Sequence, residues 1–279
     1  MVSSSSKESA IVVRLAGGLG NQLFQLGAAM LIAHRQGSRK VFLDNYALSS
    51  YKLSRKFELT GFLDFSRSSL LKIEIRRFFI NRARLPRIFT SRIFPNFLVG
   101  DNNFRSVVDS GICCSRIMDG YFQKLSQKDF EDMITLIQPL SYYRDIQLRE
   151  VNIKTCVVHI RGGDFIDLGW IESTPKEYYA KSMQVMKDVY MVKSFLIVTD
   201  DISYAKSIIN RENFHTSIVS NNISEDFWTI ASHPKRILSS STFAIWASAL
   251  GKNDEDCVVI APEELIPGIK RSFKLPNEI

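Results

Sequence analysis

The chain has 279 residues, 45% of them hydrophobic, 23% charged and 11% aromatic, which is ample for a sizeable core and excludes intrinsic disorder. Thirty-six Lys and Arg against 29 Asp and Glu leave a net charge of +7, enough to favour anionic partners such as phosphates, nucleotides or a membrane surface, and too mild to name one. No apolar run reaches the roughly 18 residues of a transmembrane helix, and the Ser-rich start MVSSSSKESA lacks the apolar core of a signal peptide and reads as a frayed lead-in.

In chain order, IVVRL (11–15) reads as a buried strand, followed by the turn Gly17-Gly18-Leu19-Gly20, a helix from about Asn21 to Gln36 and a second strand at VFLD (41–44). The rhythm then breaks. Residues 66–92 carry Arg67, Lys72, Arg76, Arg77, Arg82, Arg84, Arg87 and Arg92 against the single acid Glu74, with Leu, Ile and Phe interleaved. Such a basic amphipathic stretch suits an anionic lipid surface, or else a solvated helix face. Rhythm returns at RIMDGYFQK (116–124).

The second half alternates more clearly. Apolar runs at CVVHI (156–160), SFLIVTD (194–200), TSIVS (216–220), KRILSS (235–240) and DCVVIAP (256–262) are separated by helical stretches near 175–190, 202–210, 224–232 and 242–250. Thr174-Pro175-Lys176-Glu177 predicts a capped helix start, with the threonine hydroxyl as N-cap and proline at the first helical position. Near-continuous apolar strands alternating with helices predict βαβ units and a parallel sheet buried on both faces. Two α/β domains follow, joined near 140–155: an N-terminal one over 1–145 and a C-terminal one over 146–279. Cys113 and Cys114 are adjacent, Cys156 and Cys257 sit in apolar runs, and no C-x-x-C occurs. That pattern suits neither a disulfide framework nor a zinc site and points to reduced thiols in a cytoplasm.

The segment with most chemistry is His159-Ile160-Arg161-Gly162-Gly163-Asp164-Phe165, at the end of an apolar strand. Ligands of open α/β sheets bind outside the carboxyl ends of strands. An arginine there can grip a diphosphate in bidentate fashion, or pair with an aspartate to stitch the loop. Gly17-Gly18-Leu19-Gly20-Asn21-Gln22 presents bare amides ahead of a helix, without the G-x-G-x-x-G fingerprint because Leu23 stands where the third glycine belongs. Thr199-Asp200-Asp201 offers paired carboxylates for a metal or for acid–base work, or a helix cap at Asp201. Ser239-Ser240-Ser241-Thr242-Phe243 places hydroxyls at a helix start, where a phosphate fits. Asp254-Glu255-Asp256 has D-x-D spacing but precedes a strand and reads as a solvated turn, while His34, His215 and His233 read as structural. No Ser/His/Asp triad, zinc pattern or nucleic-acid module assembles, and the residues predict a binder of nucleotides or sugar phosphates.

Five segments, GGLGNQLFQ (17–25), GYFQ (120–123), VVHIRGGDF (157–165), FLIVTDD (195–201) and EDFWTIASHPKRILSSSTFAIWASAL (225–250), together resemble the α-1,2-fucosyltransferases of glycosyltransferase family 11, over residues of about 11 to 267. The resemblance implies a GT-B fold of two Rossmann-like domains with a cleft between them, the first on the acceptor side and the second binding nucleotide sugar. It implies GDP-β-L-fucose as donor, no required metal, and inverting transfer of fucose to the 2-hydroxyl of a galactose-containing glycan. It further implies membrane-associated surface-polysaccharide or O-antigen synthesis at the inner face of the cytoplasmic membrane, with 66–92 touching lipid or a lipid-linked acceptor. By position, Arg161 would sit on the donor diphosphate, His159 beside the nucleotide and Asp226 opposite guanine. Ser241, Thr242 and Phe243 would cradle the phosphates, Gly18, Asn21 and Gln22 would face the donor from the first domain, and Asp164 would hold the loop. Asp164 and Asp201 are the candidates for the base. A fixed arginine and helix-terminal amides would stabilise departing GDP without metal. Three positions depart from the family pattern: Gly162 replaces the second arginine of H-x-R-R-G-D, Ser240 replaces an asparagine, and Ala244-Ile245-Trp246 keeps one aromatic of a pair. These departures leave room for the same fold with another nucleotide sugar or acceptor, or for a non-catalytic sugar-nucleotide binder.

Overall fold

Residues 9–49, 55–77, 97–142, 151–167, 169, 174–209 and 214–279 are described in the computed structural model, without the side chains of Ser49, Asp164 and Asp167. The chain divides into two units, Met1–Ser141 and Tyr142–Ile279, each with its own parallel sheet.

In the first unit β1 (Ala10–Arg14) leads through the glycine turn into α1 (Leu19–Gln36). Only Asn21, His34 and Arg35 of that helix escape burial, because LFQLGAAMLIA has no polar stripe, and Gly37 ends it in the left-handed conformation with φ 68°. β2 (Lys40–Asp44), β3 (Lys72–Arg76), β4 (Leu98–Val99), α2 (Phe104–Ser110), β5 (Arg116–Met118) and α3 (Gln127–Ile137) complete it, in the strand order β3-β2-β1-β5-β4. Over 72–76 the basic stretch is an edge strand rather than a helix face. Lys72-Ile73-Glu74-Ile75-Arg76 alternates with period two, and Glu74 takes both Lys72 Nζ at 2.8 Å and Arg76 Nη2 at 2.6 Å. Residues 78–92, the remainder of that stretch, lie outside the described residues.

The second unit runs β6 (Thr155–Ile160), α4 (Asp164–Asp167), α5 (Lys176–Asp188), β7 (Ser194–Thr199), α6 (Ile202–Ile208), β8 (Thr216–Val219), α7 (Ile223–Ser232), β9 (Lys235–Ile237), α8 (Thr242–Ala249) and β10 (Val258–Ile260), closing with the antiparallel pair β11 (Glu264–Ile266) and β12 (Ile269–Lys270). Its parallel order is β10-β9-β6-β7-β8, so the direction of winding reverses between β6 and β9. Val158, Ile160, Phe195, Ile197 and Ile237 from the strands pack on Tyr179, Met183 and Met186 of α5 as its core. The start of α5 differs from expectation. Pro175 is itself the N-cap, and Thr174 Oγ1 instead accepts from Ser240 N at 3.1 Å, tying the approach to α5 to the loop after β9.

Arg236, wholly buried in β9, donates to the carbonyls of Ile230, Ala231 and His233 at the end of α7, to Ser248 in α8 and to Lys252. A guanidinium there meets the negative ends of two helices at once. The tail is locked by Arg271, which holds Glu278 through two contacts of 2.6 and 2.8 Å. All four cysteines are free thiols.

Candidate active site

β6 ends in His159 and Ile160, and the chain then turns through Arg161, Gly162 and Gly163 beside the carboxyl end of β7. Asp200 organises that turn. Its Oδ2 pairs with Arg161 Nη1 at 2.6 Å, and its Oδ1 accepts from Gly162 N at 2.8 Å. The Phe165 ring lies 5.3 Å from the same guanidinium, a cation–π contact. Gly163 has φ 45°, and a Cβ there would come within 2.8 Å of Asp200 Oδ2. A Cβ at Gly162 would lie 2.6 Å from Asp201 Cβ and 3.2 Å from the Tyr204 ring. The position where the family pattern has its second arginine is therefore filled from the start of α6.

Across the reversal point, His159 Nδ1 meets Ser239 Oγ at 2.7 Å. Burial pushes the imidazole down to about 3, with the charge of Arg161 adding to it, so His159 is a neutral hydrogen-bonding ring at ordinary pH. The Phe243 ring lies 5.7 Å from His159 and 5.5 Å from Phe227, edge-on to the latter. Asp226 sits in the first turn of α7, which Asn222 caps by accepting from Ser224 N and Glu225 N. Its Oδ1 accepts from Asn221 N and Nδ2 at 3.3 and 3.1 Å. Burial raises its carboxyl, Asn221 opposes that, and the charges of Glu225 and Asp200 push it further up. Ser241 is the N-cap of α8 and its side chain makes no capping bond to that helix. His159, Arg161, Asp200, Asp226, Ser239 and Phe243 thus share the carboxyl edge of the second sheet.

Of the two proposed bases, Asp201 caps α6, its Oδ1 accepting from Tyr204 N at 2.9 Å. Asp164 opens α4, and its side chain lies outside the described residues. In the first unit Gln22 is buried, and the two glutamine-rich motifs are laced together: Gln25 takes Ala16 N and donates to Gly120 O, while Gln123 Nε2 donates to Asn21 Oδ1 at 2.9 Å. Gly18 faces open space, since a Cβ there meets nothing within 4 Å. Asp254 bonds Cys257 Sγ and Lys252 Nζ, and among the described residues no group of three His, Cys, Asp or Glu could hold a metal.

One family model, that of glycosyl transferase family 11, matches residues 3–268. The chain belongs to glycosyl transferase family 11. Two Escherichia coli relatives align along almost all of it: the O-antigen biosynthesis glycosyltransferase WbnK, 29% identical over 92% of this chain and 95% of that protein, and an alpha-1,2-colitosyltransferase, 27% identical over 91% of each. The crystal structure of fucosyltransferase NodZ from Bradyrhizobium matches with a TM-score of 0.56 at 15% identity, over 88% of this chain and 94% of that one, and NodZ co-crystallised with GDP matches at the same score and identity over 88% of this chain and 93% of that one. The fold is thus of the GT-B kind that NodZ shares, two parallel-sheet α/β domains, and this family 11 chain is a glycosyltransferase. Two members of its site were not singled out beforehand: Asp200, read only as half of a carboxylate pair, and Ser239, one of a run of hydroxyls. Strand-end position was the signal for both.

Proposed function

We propose that the protein is an inverting, metal-independent transferase that moves L-fucose from GDP-β-L-fucose to the 2-hydroxyl of a galactoside in surface-polysaccharide or O-antigen synthesis. The observation that carries this reading is Arg161 at the reversal point of the second sheet, held by Asp200 within the family's own motif. An arginine oriented before the ligand arrives stabilises charge developing on a departing diphosphate without reorganising. Neutral His159 and the Phe243 ring flank the nucleotide, Asp226 accepts from the guanine N–H groups, and the Ser241–Thr242 start of α8 faces the phosphates. Gly18, Asn21 and Gln22 are the first unit's members of the donor-binding set. Asp164 and Asp201 are the candidates for the base that takes the acceptor proton. NodZ, whose structure was determined with GDP, supports the choice of nucleotide. The basic stretch 66–92 meets the membrane or a lipid-linked acceptor on the cytoplasmic side.

A second reading, the same chemistry with another nucleotide sugar, is favoured by Gly162 and by the likeness to a colitosyltransferase. Thermal melting with GDP, UDP, CDP and ADP in excess EDTA tests the nucleotide of the donor, and turnover on GDP-fucose tests its sugar. A nucleotide at a hundred times its dissociation constant stabilises by about 2.7 kcal/mol. GDP alone is expected to shift the melting point, and Arg161→Ala to abolish that shift while leaving the unliganded midpoint near wild type. A shift with a different nucleotide, or an undiminished GDP shift in the variant, overturns the donor assignment.

A further inference from the structure

A polar chain runs through the apolar interior of the second unit. Ser239 Oγ lies 2.7 Å from His159 Nδ1, the Tyr179 hydroxyl on α5 is hydrogen-bonded to both Ser239 and Thr174, and Thr174 Oγ1 accepts from Ser240 N at 3.1 Å. All five residues are more than nine-tenths buried. The side chains of Thr174, Tyr179, Ser239 and His159 make no other hydrogen bond among the described residues. Hydrogens decide which way the chain runs. A serine or threonine hydroxyl has one to give, and burial raises the Tyr179 hydroxyl far above the ordinary range of a phenol, so it keeps its own. The backbone N–H of Ser240 can only donate. Thr174 therefore gives its hydrogen to Tyr179, Tyr179 to Ser239 and Ser239 to His159 Nδ1, and four hydrogens fill four contacts. With a hydrogen on Nδ1 as well, five would compete for the same four contacts, and one hydroxyl hydrogen would be stranded away from water. His159 is neutral because burial disfavours its charged form, so its one ring hydrogen is left on Nε2. Nε2 has no hydrogen-bond partner among the described residues, and it is not one of the polar atoms enclosed without one. Arg161 follows two residues on, at the carboxyl end of β6, and its charge is felt at the ring.

We propose that Ser239 is a positioning residue that fixes His159 as its Nε2–H tautomer, and that this N–H donates a hydrogen bond to a diphosphate oxygen of the nucleotide sugar beside Arg161. The contact with the diphosphate rests on the donor-binding reading proposed above, whereas the tautomer is a property of the protein alone. A ring held this way presents a hydrogen to an anion, and the opposite tautomer would turn a lone pair towards it.

Long-range proton–nitrogen correlation spectra of the full-length protein, isotopically labelled in its histidine rings, read the tautomer directly, the His159 signals being those lost in His159→Gln. In the wild type without nucleotide, Nε2 should carry the hydrogen and Nδ1 none. Ser239→Ala should release that choice and show both tautomers. It should also weaken GDP binding about tenfold by calorimetry, the effect of losing one hydrogen bond to a charged group, with guanosine affected much less. His159→Gln, whose amide donates from near the place of Nε2, should bind GDP better than His159→Asn, whose amide reaches only as far as Nδ1. A hydrogen on Nδ1 in the wild type overturns the assignment without recourse to any variant, and a single unchanged tautomer in Ser239→Ala overturns the role of the serine. Equal losses for GDP and guanosine in Ser239→Ala, or His159→Asn binding GDP as well as His159→Gln, overturn the contact with the diphosphate. Where the melting screen selects another nucleotide, that nucleotide and its nucleoside replace GDP and guanosine in the same comparison. A wild type that binds no nucleotide overturns the donor reading and the diphosphate contact with it, while the tautomer is still decided by the spectra.

Discussion

Arg161 is held on two sides, by the Asp200 carboxylate at 2.6 Å and by the Phe165 ring at 5.3 Å, so little rotamer freedom remains for it to lose on meeting an anion. The glycine beside it is part of that arrangement. Restoring the family's second arginine by Gly162→Arg would drive a side chain into Asp201 Cβ and disturb the cap of α6. Overpacking of this kind costs about 1–3 kcal/mol. The variant is expected to melt lower and to bind GDP-fucose no better than wild type, measured by melting and by the donor KM; a tighter donor KM at an unchanged midpoint would reverse that account. His159, Arg161 and Ser241 were legible because polar groups that terminate an apolar run stand out in a sequence. The hold of Gln22 on the Glu58 amide was not, because the two lie 36 residues apart and no local pattern links them.

At the scale of elements, the buried strands of both sheets could be read directly, since runs such as CVVHI and SFLIVT have no polar face to confuse with a helix. β3 was missed because its charges dominated its composition and masked a period of two, and α2 and α3 because the segments 104–110 and 127–137 on either side of RIMDGYFQK carry mixed residues with no continuous apolar run. Arg236 could not be assigned from sequence at all. Its partners are main-chain carbonyls of α7, α8 and the turn at Lys252, which no local pattern encodes. Arg236→Met keeps the bulk and abandons those acceptors in a water-free site, for a loss on the order of 3 kcal/mol or more. Urea unfolding should show it, and a change below about 1 kcal/mol would mean the carbonyls find other donors. Since α7 carries Asp226 and α8 carries Phe243, the same variant should also weaken GDP binding.

For the molecule as a whole, the charge of +7 gains meaning from where some of it lies. Arg76 and Arg77 are exposed at and beyond β3, the edge strand of the first sheet among the described residues, with Leu70 and Ile75 also exposed nearby in sequence. Each basic residue near an anionic bilayer contributes about 1 kcal/mol. Arg76→Glu with Arg77→Glu should thus release the protein from vesicles containing phosphatidylserine, read by co-sedimentation at fixed salt, with turnover on a soluble acceptor intact. Undiminished sedimentation would remove the lipid contact. The two units also differ in a way that has a practical use. Cys113 is exposed and Cys114 half-buried in the first, whereas Cys156 and Cys257 are buried in the second, the Cys156 thiol raised strongly by that burial. An alkylating reagent should mark the first pair at once and the second only when the second unit opens. The wild-type chain therefore carries its own clock for that opening, and nucleotide should slow the late label without changing the early one.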